Sequence, residues 1–399
     1  MATAASIPAG FFAAAVHCGI KRDAAREDLT LIVCQSAAVA AGVYTRNQVV
    51  AAPVVWCRQR TPSASIRAVV INSGNANACT GQQGVRDTAE MARRVGEVVG
   101  IDGDQVLVLS TGVIGERLPI ECIAGGISAA AARLGEDVDA LTAAARGMMT
   151  TDTVPKLSGR ELAVGEASIR LVGLAKGAAM IRPDMATMLA VLLTDAPLEP
   201  SDAQRLLADS VASTFNAISV DGHMSTNDSV LLLASGMAGE RPLSGAPLQE
   251  FGASLREICC ELAQAIVADG EGATHKITID VSGCASRQAA ETIARTVGES
   301  PLVKTAVAGA DPNWGRIVSA AGYAGVPFDP AGTELRINGV TVFRQGGPVP
   351  FDAEALSGNL RDHWETRLEL RFSEGDAATR FWTADLTEDY VRLNADYHT

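Results

Sequence analysis

The chain has 399 residues, 47% of them hydrophobic, which is typical of a globular protein with about two to three domains or one large composite core. Only 4% of the residues are aromatic, so the core must consist largely of small side chains. The net charge of −13 argues against a nucleic-acid partner, since phosphate contacts need clustered Lys and Arg and no such run occurs.

The first half of the chain alternates between strand-like and helical segments. The apolar stretch at residues 1–16 predicts a first strand, because Lys21 and Arg22 follow it, whereas a secretory signal carries its charges before the apolar run. Further strands are predicted at residues 29–34, 68–72, 105–109, 161–165 and 168–174. Helical periodicity links Met91 with Val95 and Val98, continues over residues 120–134, and recurs over residues 138–149.

The second half adds more strands and a long helix. Pro200 and Ser201 open a helix, with Ser201 and Gln204 spaced as a capping box. Apolar residues at steps of three and four predict a helix over 251–266 that Gly270 ends. Asn338-Gly339 predicts a type I′ turn in a hairpin. Other strands are predicted at residues 187–193, 230–234, 277–281, 367–372 and 380–384. This mixture indicates an α/β fold of layered mixed sheets covered by helices.

Several classes of protein are excluded by what the sequence lacks. No apolar run approaches the roughly 20 residues of a membrane helix. The eight Cys form no C-x-x-C pair and are interpreted as reduced core thiols of a cytoplasmic protein. The five His show no metal-binding spacing, and no G-x-G-x-x-G or Walker loop occurs, so neither a metal nor a nucleotide-binding loop is predicted.

Thr187 is the most informative candidate residue. It follows Ala186 and heads the apolar run of residues 188–193. A Thr hydroxyl becomes a useful nucleophile when a base lies within hydrogen-bond reach, and cutting the chain before Thr187 would supply its own α-amine. An unshifted α-amine has a pKa of roughly 7.7–8.0, so a neutral fraction exists near pH 7. Taken alone, a Thr at the edge of a strand is more often structural.

Seven separated segments, in family order around Thr187, resemble the signatures of the bifunctional ornithine acetyltransferase family, also called glutamate N-acetyltransferases. They are INSGNANACTG (71–81), STGVIGERLP (110–119), MTTDTVPK (149–156), FNAISVDG (215–222), VADGEGATH (267–275), LVKTAVAGADPNWGR (302–316) and YVRLNADY (390–397). The resemblance covers most of the chain. It implies an αββα-like sandwich of the ornithine acetyltransferase and β-aminopeptidase type.

The resemblance also implies a self-cleaving enzyme. The chain would cut itself between Ala186 and Thr187 by an N→O acyl shift, leaving segments 1–186 and 187–399 that form one composite active site. Thr187 would then carry an acetyl group from N2-acetyl-L-ornithine to L-glutamate, as in arginine biosynthesis. No cofactor is implied, although acetyl-CoA stays open as a second donor for glutamate. The implied assembly is a cytoplasmic α2β2 heterotetramer that binds neither nucleic acid nor membrane.

Individual site residues are carried over by position. Thr111 and Gly112, just past a predicted strand, match the oxyanion hole, whose donors stabilise charge that develops in the tetrahedral state. The substrate-binding residues matched are Thr151, Lys176, Thr187, Glu271, Asn394 and Thr399. Thr150 is a rival for Thr151 because the two are adjacent. Asn72, Asn75 and Asn77 belong to a family segment but are interpreted as loop hydrogen-bonders.

Other interpretations remain open from the sequence. An N-terminal-nucleophile hydrolase resembling a β-aminopeptidase would use water in place of glutamate, although Lys176, Thr111-Gly112 and the KGAAM segment favour the transferase. A non-catalytic homologue would stay intact, and a related acetyltransferase could serve secondary metabolism. Two departures from the family pattern, Ala178-Ala179 and His223-Met224, concern donor or acceptor preference.

Overall fold

The described part of the chain, residues 6–164, 167–182 and 188–396 of a computed structural model, folds into two β-sheets with surrounding helices. In chain order the strands are β1 (Phe11–Val16), β2 (Leu29–Tyr44), β3 (Ser63–Asn75), β4 (Val106–Val113), β5 (Lys156–Val164), β6 (Ala167–Lys176), β7 (Leu189–Thr194), β8 (Ile218–Ser219), β9 (Ser229–Ala234), β10 (Lys276–Cys284), β11 (Glu334–Ile337), β12 (Val340–Arg344), β13 (Gly347–Pro348), β14 (Glu365–Arg371) and β15 (Ala377–Ala384). The helices are α1 (Ala52–Arg58), α2 (Gly81–Val99), α3 (Ile120–Ala131), α4 (Val138–Met148), α5 (Pro200–Ser213), α6 (Gly245–Ala268), α7 (Arg287–Glu299), α8 (Pro301–Ala308), α9 (Trp314–Gly322), α10 (Ala353–Asp362) and α11 (Glu388–Asp396).

The first sheet has the strand order β4-β3-β2-β9-β7-β6-β5, with β1 also paired to β2. The long β2 connects the two halves of this sheet: its first part pairs with β1 and β3, and its last part pairs with β9. The register shifts between Val33 and Ala38, and residues 35–37 within this stretch are exposed. This irregularity allows the strand to pass from one half of the sheet to the other.

The two halves of the first sheet face each other across a shared core. One cluster of buried residues contains Ile32, Val69 and Leu107 from the first half and Val191 and Leu231 from the second. The alternate residues of the first half pack on α2 and α3, while those of the second half pack on α5 and α6. Because side chains of a strand point alternately to opposite faces, the layers are helix, sheet, sheet, helix. The αββα arrangement expected from the sequence is confirmed.

A second sheet lies beyond α6, in the order β13-β12-β11-β14-β10-β15-β8. The helix α6 packs on β5 and β6 of the first sheet and on β15 of the second, so one continuous core includes both. Asn338 and Gly339 have φ angles of 46° and 81° and join β11 to β12, as the predicted type I′ turn requires.

Most predicted strands and helices are present, but local patterns misled at three points. The helix α5 has Glu199 as its N-cap, without a side-chain cap, and Gln204 instead bonds the backbone N–H and C=O of Gly42, so the capping box is wrong. Val98 is exposed rather than on the core face of α2. Thr111 and Gly112 lie within β4, which extends to Val113, and not in a loop past the strand.

The cysteines agree only in part with the prediction that they are reduced core thiols. All eight cysteines are free, and four are buried, but Cys79 and Cys122 are exposed and are therefore not core thiols. Within the described ranges, none of the helices has both the length and the apolar character that crossing a membrane requires.

Candidate active site

Three strands of the first sheet meet at one edge. The strand β6 ends at Lys176, which pairs with Leu189 at the start of the antiparallel β7. Leu189 in turn pairs with Ser229 at the start of the parallel β9. The residues just outside this register, Met188 before β7 and Asp228 before β9, therefore lie beside Lys176 at the same edge.

The end of β4 joins this edge through Asn227. Its side-chain nitrogen Nδ2 donates to the carbonyl of Ser110 at 2.9 Å and to that of Ala76 at 2.6 Å. Asn227 precedes β9 by two residues, so it connects the loop before β9 to β4 and to the loop after β3. This connection holds the predicted oxyanion residues against the edge where β6 ends.

Lys176 and Thr111 are in direct contact. The Lys176 Nζ donates to the Thr111 Oγ1 at 3.2 Å, and both side chains are buried. Burial lowers the pKa of the Lys176 ammonium, while Asp152 acts in the opposite direction. No described carboxylate forms an ion pair with Nζ, so the ammonium remains able to stabilise a negative charge that develops beside Thr111.

Gly112 is held where only glycine fits. It pairs with Gly74 of the parallel β3, and its φ of +133° lies in a region that other residues rarely adopt. A Cβ added to Gly112 would lie 2.2 Å from the carbonyl carbon of Gly74 and 2.4 Å from the Asn75 nitrogen. A side chain at position 112 would therefore force the ends of β3 and β4 apart.

A buried ion-pair network fixes the backbone next to Lys176. The Lys156 Nζ lies 2.7 Å from the Asp152 Oδ1 and 2.6 Å from the Asp269 Oδ2. The Asp152 carboxylate also accepts from the N–H of Gly177 at 2.6 Å, directly after Lys176. Burial opposes ionisation of Asp152, but Lys176 and Lys156 outweigh it and lower the pKa of this carboxyl to about 2. An Asp152 carboxylate that is ionised at neutral pH therefore holds the backbone that presents Lys176.

Thr151, the predicted binding residue, is half-buried beside Asp152. Its rival Thr150 uses its backbone, since its N–H donates to the Asp152 Oδ2 at 3.0 Å and its carbonyl accepts from Arg26. These bonds occupy the backbone of Thr150 and not its hydroxyl, so Thr151 and its rival Thr150 both stay predictions for contact with a ligand.

Glu271 and Asn394 come together from distant parts of the chain. The Asn394 Nδ2 donates to the Glu271 Oε2 at 2.8 Å, which joins α11 to the loop after α6. The backbone N–H of Glu271 donates to the carbonyl of Ala178 at 3.0 Å, two residues past Lys176. The Glu271 carboxylate also acts on Lys176 electrostatically. The pair predicted to bind substrate is therefore adjacent to the Lys176 edge.

Some predicted residues lie outside the described ranges. These are the cleavage pair Ala186 and Thr187 and the last residue, Thr399. Their roles stay predictions. The first described residue after Thr187 is Met188, whose N–H donates to the Asp228 Oδ1 at 3.0 Å.

Four residues of this edge were missed by the sequence analysis: Asp152, Lys156, Asn227 and Asp228. Each stands in a polar segment between predicted elements, where polar residues are typical of solvated turns. The only signal was position: Asp152 and Lys156 lie inside a family-like segment, and Asp228 lies two residues before a predicted strand. The side-chain amide of Asn72 donates to the carbonyl of Asn75 at the end of β3, that of Asn75 donates to the loop carbonyls of Glu116 and Arg117, and that of Asn77 donates to the carbonyl of Gly84 in α2.

The chemistry available at this edge is that of an anion-stabilising site. It offers a hydroxyl, a glycine backbone and a buried ammonium, with the Glu271 carboxylate near enough to act on that ammonium. Across the described residues, no group of three or more His, Cys, Asp or Glu could hold a metal ion. The arrangement suits acyl transfer, in which a carbonyl oxygen becomes transiently negative.

Comparison with known proteins agrees with this description. The sequence profile of the ArgJ family matches residues 12–399. The "Arginine biosynthesis bifunctional protein ArgJ" of Rhodopirellula baltica is 44% identical over 396 residues, covering 98% of this chain and 96% of that protein. The protein of the same name from Symbiobacterium thermophilum is 44% identical over 402 residues, covering 100% and 99%. The crystal structure of the arginine biosynthesis bifunctional protein argJ from Bacillus halodurans is 37% identical with a TM-score of 0.50, covering 51% of this chain and 96% of that chain.

Proposed function

We propose how this chain works from the family to which it belongs, the ArgJ family, whose members are enzymes of acetyl transfer in arginine biosynthesis. The proposed reaction moves the acetyl group of N2-acetyl-L-ornithine to L-glutamate through an ester on Thr187. The family relationship covers nearly the whole chain and supports the reaction class. The observation that carries the mechanism is the contact between the Lys176 Nζ and the Thr111 Oγ1. This contact lies at the edge where Met188 precedes β7.

The proposed chemistry has two symmetrical halves. The Thr187 hydroxyl attacks the acetyl carbonyl, its α-amine takes the proton, and ornithine leaves with that proton on its nitrogen. The glutamate amine then attacks the Thr187 ester, and the Thr187 oxygen recovers a proton. Both tetrahedral states carry a negative oxygen, which the Thr111 hydroxyl and the Gly112 N–H would stabilise with the Lys176 ammonium nearby.

The α-amine requires that the chain be cut, so the proposal includes self-cleavage between Ala186 and Thr187. Segments 1–186 and 187–399 would then share one site. The distribution of the site residues supports this: Thr111 and Lys176 precede the cut, whereas Glu271 and Asn394 follow it. The solved Bacillus halodurans chain is about half as long as this one, which is consistent with a relative cut near its middle.

The substrate would be held by the groups around the Lys176 edge. The Glu271 carboxylate suits a cationic amine, either the side-chain ammonium of N2-acetylornithine or the α-amine of Thr187, and Asn394 keeps that carboxylate oriented. Thr151 and Thr399 complete the proposed set. The first family departure contacts this set directly, since the carbonyl of the buried Ala178 accepts the N–H of Glu271, whereas His223 of the second departure is exposed.

Further properties follow from the same relationship. We propose a cytoplasmic enzyme that needs no cofactor, assembles as an α2β2 heterotetramer and accepts acetyl-CoA as a second acetyl donor. The relatives are bifunctional proteins of arginine biosynthesis by name, which supports a second reaction beside the transfer from N2-acetylornithine. Each of these properties can be measured separately from the transfer itself.

Steady-state kinetics with both substrates test the proposal. Varying N2-acetylornithine at several fixed glutamate concentrations should give parallel double-reciprocal lines, because ornithine leaves before glutamate binds. Intersecting lines would contradict a covalent intermediate. Release of free acetate at the same rate with and without glutamate would instead identify a hydrolase of the β-aminopeptidase kind.

A further inference from the structure

Asp228 has a buried carboxyl group of which only one oxygen accepts a hydrogen bond from the described residues. The side chain is fully buried, and its Oδ1 accepts the Met188 N–H at 3.0 Å. Within the described ranges, its Oδ2 has no hydrogen-bond partner. The Thr45 hydroxyl lies close enough to lower the pKa of the Asp228 carboxyl, but its hydrogen bond at 2.8 Å is to the carbonyl of Ser225. A buried carboxyl oxygen without a partner is costly, so its presence calls for a reason.

The position of Asp228 along the chain supplies that reason. The Met188 nitrogen is covalently bonded to the carbonyl carbon of Thr187, so a carboxyl that holds this N–H lies within one residue of the proposed nucleophile. The first reaction of Thr187 is self-cleavage. At that stage its nitrogen is an amide and cannot act as the base that the later acetyl transfer uses. Another base must therefore take the hydroxyl proton, and a side chain within reach would supply it.

We propose that Asp228 carries the proton in self-cleavage, an inference that rests on the proposed function. The Asp228 carboxylate takes the hydroxyl proton while the Thr187 oxygen bonds to the Ala186 carbonyl carbon. It returns that proton to the Thr187 nitrogen as the bond between carbon and nitrogen breaks. Water then hydrolyses the ester, which leaves a carboxylate on Ala186 and a free amine on Thr187. Asp228 ends the reaction unchanged.

The surroundings of Asp228 make its carboxylate a stronger base than an exposed one. Burial raises the pKa of the Asp228 carboxyl well above its ordinary value, while the Met188 N–H and Lys176 act in the opposite direction. A base whose pKa lies nearer the working pH transfers protons more effectively. The ionisable groups that act in turn on Lys176 are Asp152, Lys156 and Glu271.

Lys176 is the rival base. Its ammonium is also buried, and burial lowers its pKa, so a neutral fraction could accept a proton. However, its Nζ is directed to the Thr111 Oγ1, the proposed oxyanion donor, whereas Asp228 bonds the residue next to Thr187. The two candidates are separable because each has a variant of similar size that cannot titrate.

The test is the rate at which newly made full-length chain converts into two fragments, followed over a range of pH by pulse-labelled cell-free synthesis. Asp228→Asn keeps an oxygen that can accept the Met188 N–H but cannot take a proton. It should slow cleavage by about 10²–10⁴-fold, the usual contribution of a general base. The wild-type rate should fall as the pH drops through the raised pKa of Asp228, and Asp228→Asn should lack that fall.

Asp195→Asn is the matched control. Asp195 is a buried carboxylate at the opposite end of β7 that accepts the N–H groups of Ala9 and Arg170 at 3.1 and 2.7 Å. Its loss should reduce stability without changing the cleavage rate of the folded chain. Adding formate to Asp228→Ala, which opens a cavity beside Met188, should restore part of the cleavage. This rescue would not follow from a purely structural role.

The outcomes separate the inference from the proposed function. Wild-type chain that neither cleaves nor transfers acetyl groups refutes the proposed function. The role of Asp228 alone is refuted if the wild-type chain cleaves and Asp228→Asn cleaves as fast. It is also refuted if the cleavage rate of Asp228→Asn decreases at low pH as the wild-type rate does. Loss of that fall in Lys176→Met but not in Asp228→Asn would make Lys176 the base. If Asp228→Asn does not fold, absence of formate rescue in Asp228→Ala counts against the inference.

Discussion

Replacing Gly112 with Ala should separate the ends of β3 and β4 and thereby disturb the proposed oxyanion hole. The added Cβ would lie 2.2 Å from the Gly74 carbonyl carbon. An ordinary contact of about 3.4 Å would require the two backbones to move apart by about 1.2 Å. A misplacement of about 1 Å in a catalytic group can cost about 10²-fold in rate. We therefore expect kcat to fall by about 10²-fold with little change in KM.

The same substitution should also reduce stability, because Gly112 has a φ of +133°. Strain of this kind costs about 1–3 kcal/mol, which urea denaturation would measure. Gly115→Ala is the matched control: its φ is +88°, but nothing lies within 4 Å of an added Cβ. It should be destabilised by strain while keeping its kcat. Equal losses of kcat in both variants, or a wild-type kcat in Gly112→Ala, would refute the reasoning from the contact with Gly74.

Three further predictions concern single side chains of the site. Thr111→Ala should lower kcat of the cleaved enzyme by about 10²–10³-fold with KM nearly unchanged, since its hydroxyl acts when the carbonyl oxygen becomes negative; a change in KM alone would make it a binding residue. Glu271→Gln should mainly raise KM in the same assay, and a fall in kcat at unchanged KM would contradict a holding role. Asp152 has a pKa lowered to about 2, so its stabilisation is present above about 4, the unfolded pKa, and is lost as the pH falls towards 2. Urea midpoints of Asp152→Asn should therefore change less than those of the wild type over this pH range, and equal changes would count against the network.

Elements with strong local patterns could be predicted from the sequence. The apolar steps of α6, the alternation of β10 and the Asn338-Gly339 turn each depend on neighbours in the chain, and the structure confirms them. Gln204 shows the limit of such patterns. Its spacing from Ser201 is that of a capping box, but its amide bonds Gly42, which is distant in the sequence. Tertiary contacts override the local preference there.

The site itself was predicted as separate residues and not as an arrangement. The contact of Lys176 with Thr111 requires β4 and β6 to end near the same edge, which depends on how β2 passes between the halves of the first sheet. Asp228 was missed for the same reason. In the sequence it belongs to a polar turn, and only the pairing of β7 with β9 buries it beside Met188.

The central claim is that Thr187 becomes an N-terminal nucleophile and carries the acetyl group. Intact-mass analysis of the purified protein, before and after incubation with N2-acetylornithine, tests it most directly. The account predicts two fragments of about 19 and 22 kDa, which share the 41.4 kDa of the chain in proportion to segments 1–186 and 187–399. The larger should begin at Thr187 and gain one acetyl group, while Thr187→Ala should remain a single unacetylated chain. An uncut wild-type chain, or cleavage that persists in Thr187→Ala, would contradict the account.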